Sequence, residues 1–131
     1  MPSVVVLDSH VVVQDALEPA RLSAKARRAL AGENGPLAVC DITLWEIAML
    51  IAKGRVEPAA DAGQFIDDLV HARSLRVLPI TPQIAVLAQS EEFRHGDPAD
   101  RLIAATAIAH GARLVTADGA LRRVKGLRVI W

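Results

Sequence analysis

The chain has 131 residues, 15 of them Lys or Arg and 15 Asp or Glu, so its formal net charge is zero. This length suits one domain over residues 1–131, and a hydrophobic content of 52% predicts a packed core and argues against a disordered chain. The balanced charge and an aromatic content of 3% argue against a strongly basic nucleic-acid binder and against a surface built on base stacking.

Short apolar runs alternate with helical patterns along the chain. Strands are predicted at 4–7, 37–40, 76–80, 113–116 and 127–130. Helices are predicted at 11–17, 23–31, 43–53, 58–72, 82–90 and 98–110, with a short one after Gly119. Continuous β-branched runs are typical of strands buried on both faces of a parallel sheet. The order predicts an α/β fold with a mainly parallel sheet of about five strands.

Cys40 is the only cysteine, which excludes an internal disulfide and fits a reducing compartment. The first residues lack the basic region and the apolar length of a signal peptide, and no run is long enough to cross a membrane. We therefore expect a soluble, cytoplasmic protein with no membrane partner.

Four acids stand just past the apolar elements that build the predicted core: Asp8, Glu46, Asp100 and Asp118. Because the carboxyl ends of parallel strands meet at one edge of a sheet, all four are expected to converge on one crevice. Carboxylates held close together raise one another's pKa unless a divalent cation neutralises them. Oxygen ligands without a His or Cys cluster favour Mg²⁺ or Mn²⁺ over zinc.

Each acid also has a local explanation, and these alternatives stay open. Asp8 can cap the helix that follows it, and Thr43 with Glu46 has the sequence of a capping box. Asp100 lies in a first helical turn, where the helix dipole favours it, and Asp118 precedes Gly119 in a common turn pair.

Several neighbours of these acids are further candidates. Ser9 and Thr116 are expected to orient carboxylates or metal-bound waters, although local turns explain them equally well. Arg94 and His95 precede the loop of Asp97 and are the candidates for a phosphate contact. For His10, beside Asp8, a local structural role is the simpler interpretation.

The segments 6–11, 42–48, 78–82, 96–104 and 114–118 together resemble the PIN domain, and within it the VapC-type toxins of type II (VapBC) toxin–antitoxin pairs. The resemblance implies a three-layer α/β/α domain and an endoribonuclease that cuts single-stranded RNA. It also implies Mg²⁺ or Mn²⁺ held by Asp8, Glu46, Asp100 and Asp118, with Asp97 as an accessory acid. A homodimer inhibited by a small VapB-like antitoxin is implied as well.

Two positions depart from the pattern of this family. Gln14 stands where an aromatic residue is common, and Asp41 stands in place of a small neutral residue before the helix of Glu46. The role of Asp41, as a metal ligand or as a loop acid, stays open. An alternative from another class is a catalytically inactive PIN-like module that binds a protein or nucleic acid through its acidic crevice. A receiver domain fits less well, because an acid after the middle strand and a late Lys are missing.

Overall fold

A parallel sheet of five strands lies at the centre of the structure, a computed structural model that describes residues 4–93 and 96–131. The strands are β1 (Val5–Leu7), β2 (Leu37–Cys40), β3 (Arg76–Leu78), β4 (Arg113–Val115) and β5 (Val129–Ile130). They lie in the order β3-β2-β1-β4-β5, and all neighbours pair in parallel. The predicted α/β fold with a parallel sheet is confirmed.

Seven α-helices connect and flank these strands in the described residues. They are α1 (Ser9–Leu17), α2 (Ala24–Leu30), α3 (Ile42–Ala52), α4 (Ala62–Ala72), α5 (Pro82–Leu87), α6 (Pro98–Ala109) and α7 (Gly119–Arg122). Five of these helices begin with a side-chain cap. The oxygens of Ser23, Asp61 and Thr81 each accept from a backbone N–H three residues on, and those of Asp97 and Asp118 accept from the N–H two residues on.

The sheet separates two apolar clusters, which makes the fold three-layered. On one face, Val5 and Leu7 pack with Val11 and Leu30. On the other face, Val6 packs with Ile103 of α6 and with the alanines of that helix. Ala104, Ala105 and Ala107 are fully buried, and their small side chains let the α6 backbone lie close to the sheet. Since β1 is buried on both faces, its continuous apolar run is explained.

The strand order places a switch point between β1 and β4. From β1 the chain winds towards β3 on one side, and β4 is followed by β5 on the other. A crevice forms at such a point beyond the carboxyl ends of the strands. The residues just past β1 and β4 are held side by side there, since the Asp8 N–H donates to the Val115 carbonyl at 3.0 Å.

The predicted capping box of Thr43 and Glu46 is wrong. Helix α3 begins at Ile42, one residue before the predicted cap, and its N-cap is Asp41. Thr43 is instead buried within the helix, and its hydroxyl oxygen lies 3.0 Å from that of Ser9. The position of Glu46 therefore has no capping explanation.

Smaller differences concern the segment before α6. The predicted polar loop after α5 contains a 3₁₀ turn, Glu91–Phe93, because Phe93 is buried against the α6 side of the sheet.

Among the described residues, no helix has the length and apolar character needed to cross a membrane.

Candidate active site

Three of the four predicted acids come together at the switch point, and we call Asp8, Glu46 and Asp100 the acid cluster. One carboxylate oxygen from each lies within 4.8 Å of the others. Asp8 is 5% exposed and Glu46 is 6% exposed, whereas Asp100 is half-buried. The end of β1, α3 and α6 thus bring together three acids that are 38 and 54 residues apart in the sequence.

Local geometry directs each member of the acid cluster towards the crevice. Asp8 has the backbone position of the α1 N-cap but makes no side-chain cap bond, so its carboxylate stays available. Glu46 lies on the buried side of α3, next to the core residue Ile47. Asp100 is in the first turn of α6, which Pro98 opens and which Asp97 caps by accepting from the Ala99 N–H at 2.8 Å.

Hydroxyl groups hold the buried carboxylates in place. Thr116, just past β4, donates to the Asp8 Oδ2 at 2.8 Å and accepts from the Asp118 N–H at 3.0 Å. Thr116 therefore makes the local turn and also orients Asp8, so the two explanations considered for it apply together. The Ser9 hydroxyl pairs with that of Thr43, and hydrogen bonding from Ser9 offsets part of the rise that burial causes in the pKa of Glu46.

The electrostatics of the acid cluster are unfavourable without a cation. Burial raises the pKa of Asp8 and of Glu46 above their ordinary values, and His10 offsets only part of this rise. For Asp100, burial followed by repulsion from Asp8 and Glu46 raises the pKa to about 7. Each group thus resists ionisation because water is excluded and because neighbouring charges have the same sign.

Two oxygens of the acid cluster have no hydrogen-bond partner in the described part of the chain. They are Asp8 Oδ1 and Glu46 Oε1, and both are inaccessible to solvent. A buried carboxylate oxygen without a partner costs free energy, so such groups call for a ligand. Three converging carboxylates with two unpartnered oxygens fit a hard divalent cation, which prefers oxygen ligands.

Asp118 and Asp97 lie beside the acid cluster rather than in it. The Asp118 Oδ1 caps α7 by accepting from the Ala120 N–H at 2.8 Å, and the Asp97 Oδ1 caps α6. Asp118 is thus the N-cap of α7, and Gly119 is the first residue of that helix rather than part of the predicted turn. Both acids still act on the cluster through space, because each raises the pKa of Asp100.

Asp41 has a structural contact that accounts for it. Its Oδ2 accepts from the Ile80 N–H at 3.2 Å, and its own N–H donates to the Leu78 carbonyl at 2.9 Å. Asp41 therefore joins the end of β2 to the segment after β3. It is not in the group of carboxylates that a cation could share.

Two cavities flank the acid cluster and share Asp100 and Asp118 in their walls. One has a volume of about 260 Å³ and is also lined by Asp8, His10 and Gln14. We call it the polar cavity. The sequence favoured a local structural role for His10, although its spacing from Gln14, one helical turn on α1, indicates that both face the same side.

The other cavity, which we call the apolar cavity, has a volume of about 250 Å³. Besides the two shared acids it is lined by Glu92, Phe93, Gly96, Arg101, Ala120, Leu121, Arg123 and Val124. No pattern in the sequence indicated this cavity, because its walls come from the 3₁₀ turn, α6 and α7. The predicted RNA contacts Arg94 and His95 lie outside the described residues.

Comparison with known proteins agrees with this architecture. The family model described as PIN domain matches residues 5–127. Ribonuclease VapC22 of Mycobacterium tuberculosis is 43% identical over 119 residues, which cover 90% of this chain and 89% of that protein.

Solved structures show the same fold at lower sequence identity. VapBC2 from Rickettsia felis, bound to a DNA fragment from its promoter, matches with a TM-score of 0.71 at 18% identity and covers 96% of both chains. VapBC-5 from Mycobacterium tuberculosis matches with a TM-score of 0.64 at 21% identity and covers 98% of both chains.

Proposed function

The chain belongs to the PIN-domain family, in its VapC type, and from this premise we propose that it is a metal-dependent endoribonuclease that cuts single-stranded regions of RNA. The observation that carries the proposal is the acid cluster, with its two buried and unpartnered carboxylate oxygens. An acid that served only to cap a helix would accept from a backbone N–H with one oxygen, as the Oδ1 atoms of Asp97 and Asp118 do.

The residues proposed to hold the cation are Asp8, Glu46 and Asp100, with Asp118 and Asp97 adding negative charge beside them. We propose Mg²⁺ or Mn²⁺, because all the donors are carboxylate oxygens. When bound, such an ion activates a water and stabilises the charge that develops on the phosphodiester. It would also relieve the repulsion that raises the pKa of Asp100.

The protein's own contribution is positioning. Thr116 fixes the Asp8 carboxylate from one side through its 2.8 Å hydrogen bond, and the Ser9–Thr43 pair borders Glu46 from the other. These hydroxyls keep the acids converged in spite of their mutual repulsion. Their role resembles that of the groups that orient metal ligands in other hydrolytic sites.

The depth of the crevice favours a single strand. Asp8 and Glu46 are almost completely buried, so a phosphodiester must descend into the crevice to reach them. A flexible single strand can splay its bases to either side and do this, whereas a duplex keeps its backbone on the outside of a rigid helix. The two cavities beside Asp100 and Asp118 provide space for the flanking nucleotides.

The proposed partners are a VapB-like antitoxin and a second copy of the chain, and the proposed place of action is the cytoplasm, with the RNA. VapBC2 and VapBC-5, named above, have the same fold as this chain. Large apolar side chains that a partner would cover lie on the surface, since Trp45 is 60% exposed and Val86 is 75% exposed. Inhibition by such an antitoxin is part of the proposal.

The test is cleavage of total RNA by the purified, antitoxin-free protein with Mn²⁺ or with EDTA. We expect cutting with Mn²⁺ only, and none by Asp100→Asn prepared identically. Asp68→Asn on the exposed face of α4 is the matched control and should cut like the wild type. Absence of cleavage by the folded wild-type protein on a broad RNA panel would contradict the proposal and favour an inactive binding module.

A further inference from the structure

The apolar cavity lies directly beside the acid cluster, and we propose that it binds the nucleobase adjacent to the phosphate that is cut. This inference rests on the proposed ribonuclease function and adds a determinant of RNA choice to it. The observation that supports it is that the apolar cavity, with a volume of about 250 Å³, has Asp100 of the acid cluster in its wall.

The wall chemistry suits the flat face of a base. Ala120 is exposed and Val124 is half-buried, so they supply the accessible apolar surface, while Phe93 and Leu121 lie beneath it in the core at 3% and 4% exposure and hold it in place. Unpaired bases are held in proteins by stacking on apolar and aromatic surfaces, which is tolerant of sequence because every base has such a face.

The size of the apolar cavity limits its occupant. Pockets for drug-sized molecules have volumes of about 300 to 1,000 Å³. The apolar cavity is smaller than this range, so it suits a single base rather than two stacked ones.

Charged side chains at the apolar cavity provide hydrogen-bonding groups for the edge of the base. Arg101 is half-buried, whereas Arg123 and Glu92 are exposed. A guanidinium plane can stack on a base or bind a phosphate, and a carboxylate accepts from base amino groups. An apolar floor with both kinds of group around it is the arrangement expected for a base, not for a lipid chain or a bare phosphate.

The two cavities define a path for the RNA strand across the site. They share Asp100 and Asp118, so a strand that passes from one to the other carries its backbone over these acids. The polar cavity, with His10 and Gln14, offers hydrogen-bonding groups for the ribose and phosphate of one neighbouring nucleotide. The apolar cavity is left for the base on the opposite side of the cleavage site.

The experiment combines a cavity-filling variant with a base-free substrate. Ala120→Leu places a larger side chain in the apolar cavity without altering an acid, and Ala85→Leu on the exposed side of α5 is its matched control. The substrate is a short RNA oligonucleotide that carries the site mapped in total RNA. Partner oligonucleotides lack one base at a time on either side of the cut.

For the wild type with Mn²⁺, we expect loss of one particular flanking base to lower kcat/KM by about tenfold, and loss of the base across the cut to matter much less. Ala120→Leu should lower kcat/KM on the intact RNA by a similar factor. On the RNA that already lacks the critical base, Ala120→Leu should lower kcat/KM almost no further, because both changes remove the same contact. Ala85→Leu should follow the wild type on every substrate.

The neighbouring arginines give a second readout. Arg123 lines the apolar cavity and Arg122 does not, although both are exposed. We expect Arg123→Gln to lower kcat/KM several-fold and Arg122→Gln to leave it near the wild-type value.

The failures are distinguishable. If the wild type cuts no RNA, the ribonuclease proposal fails and this inference falls with it. If the wild type cuts but no single base removal matters, the apolar cavity is not a base subsite. Equal losses for Ala120→Leu on intact and base-free RNA would show a general distortion of α7 and would also overturn the inference.

Discussion

Two regions of this protein hold acidic side chains away from water: in one the acid is paired with a cation, and in the other the acids face one another. Between α1 and the end of α4, Asp15 is paired in a two-pronged contact with Arg73, with N–O distances of 3.0 Å in both prongs. The Arg73 Nη1 also donates to the Leu30 carbonyl at 3.4 Å, so three helices meet at this ion pair. In the acid cluster, by contrast, Asp8, Glu46 and Asp100 oppose one another.

The difference shows which acids the fold holds for its own stability. Where an acid stabilises the fold, the chain supplies its partner, as in Asp15 with Arg73 or Asp41 with the Ile80 N–H. In the acid cluster, burial and repulsion raise the pKa of every member. The acid cluster therefore lowers stability in exchange for a binding site, and the substitutions below test this contrast.

Glu46→Gln should have the largest effect and should separate activity from stability. We expect RNA cleavage to fall by more than about a hundredfold, beyond the usual loss for groups that only orient metal ligands. Without metal at pH 8, the midpoint of thermal unfolding should rise by a few degrees, because a buried like charge is removed. Cleavage assays and melting curves in EDTA measure both. An active and less stable Glu46→Gln protein would contradict this account.

Thr116→Val should have the next largest effect, since it removes the hydrogen bond to Asp8 and the acceptor for the Asp118 N–H. We expect Mn²⁺ affinity and cleavage to fall by about tenfold. The free energy of unfolding should fall by about 1 to 2 kcal/mol. Titration calorimetry and urea unfolding measure these quantities. Thr116→Ser keeps the hydroxyl and should stay close to the wild type, and equal losses in both variants would argue against the orienting role.

The sequence predicted the elements of this fold better than their junctions. Helix starts at Ser23 and Thr81 have caps that short-range chemistry determines, so they were predictable. The helix predicted from residue 58 begins only at Ala62, because Asp61 caps it there. The false capping box at Thr43 shows the limit of such patterns. Its hydroxyl pairs with Ser9, 34 residues away, and no local spacing encodes that contact.

The sequence likewise predicted only part of the candidate site. The positions of Asp8 and Asp118 after apolar runs predicted that they lie at one edge of the sheet, because parallel strands end together. Sequence could not show that the carboxylate of Asp118 caps α7 while those of Glu46 and Asp100 reach Asp8, since this depends on side-chain direction. The pairing of Asp15 with Arg73 across 58 residues was likewise invisible.

The stability of the metal-free protein should fall as pH rises from about 4 to about 7. The pKa of Asp100 is raised from 3.8 to about 7, so the folded state holds its proton more tightly than the unfolded state does. The folded state is therefore favoured most below pH 4, and this advantage is lost as the pH approaches 7. A shift of this size corresponds to roughly 4 kcal/mol. Because Asp100 is half-buried, we expect about 2 kcal/mol.

Urea unfolding in EDTA at pH 5 and pH 8 measures this loss. Asp100→Asn should remove the share that Asp100 contributes and leave the share of Asp8 and Glu46, whose pKa values are also raised. Mn²⁺ should reverse the trend and stabilise more at pH 8 than at pH 5, because the ligands must be deprotonated. Equal stabilisation by Mn²⁺ at both values of pH would place the ion elsewhere.

Asp15→Asn should have the smallest effect and should act on stability alone. The side chain of Arg73 is 42% exposed, so water can solvate the guanidinium once its partner is neutral. We therefore expect a loss of about 1 kcal/mol in the free energy of unfolding, with kcat unchanged. Urea unfolding and the cleavage assay measure the two quantities. Combined with Glu46→Gln, the changes in unfolding free energy should add, because the hydrogen bonds and the ion pair of Asp15 and Arg73 involve no residue of the acid cluster. A clear departure from additivity, or a weaker affinity of Asp15→Asn for Mn²⁺, would mean that the paired acid and the acid cluster are coupled.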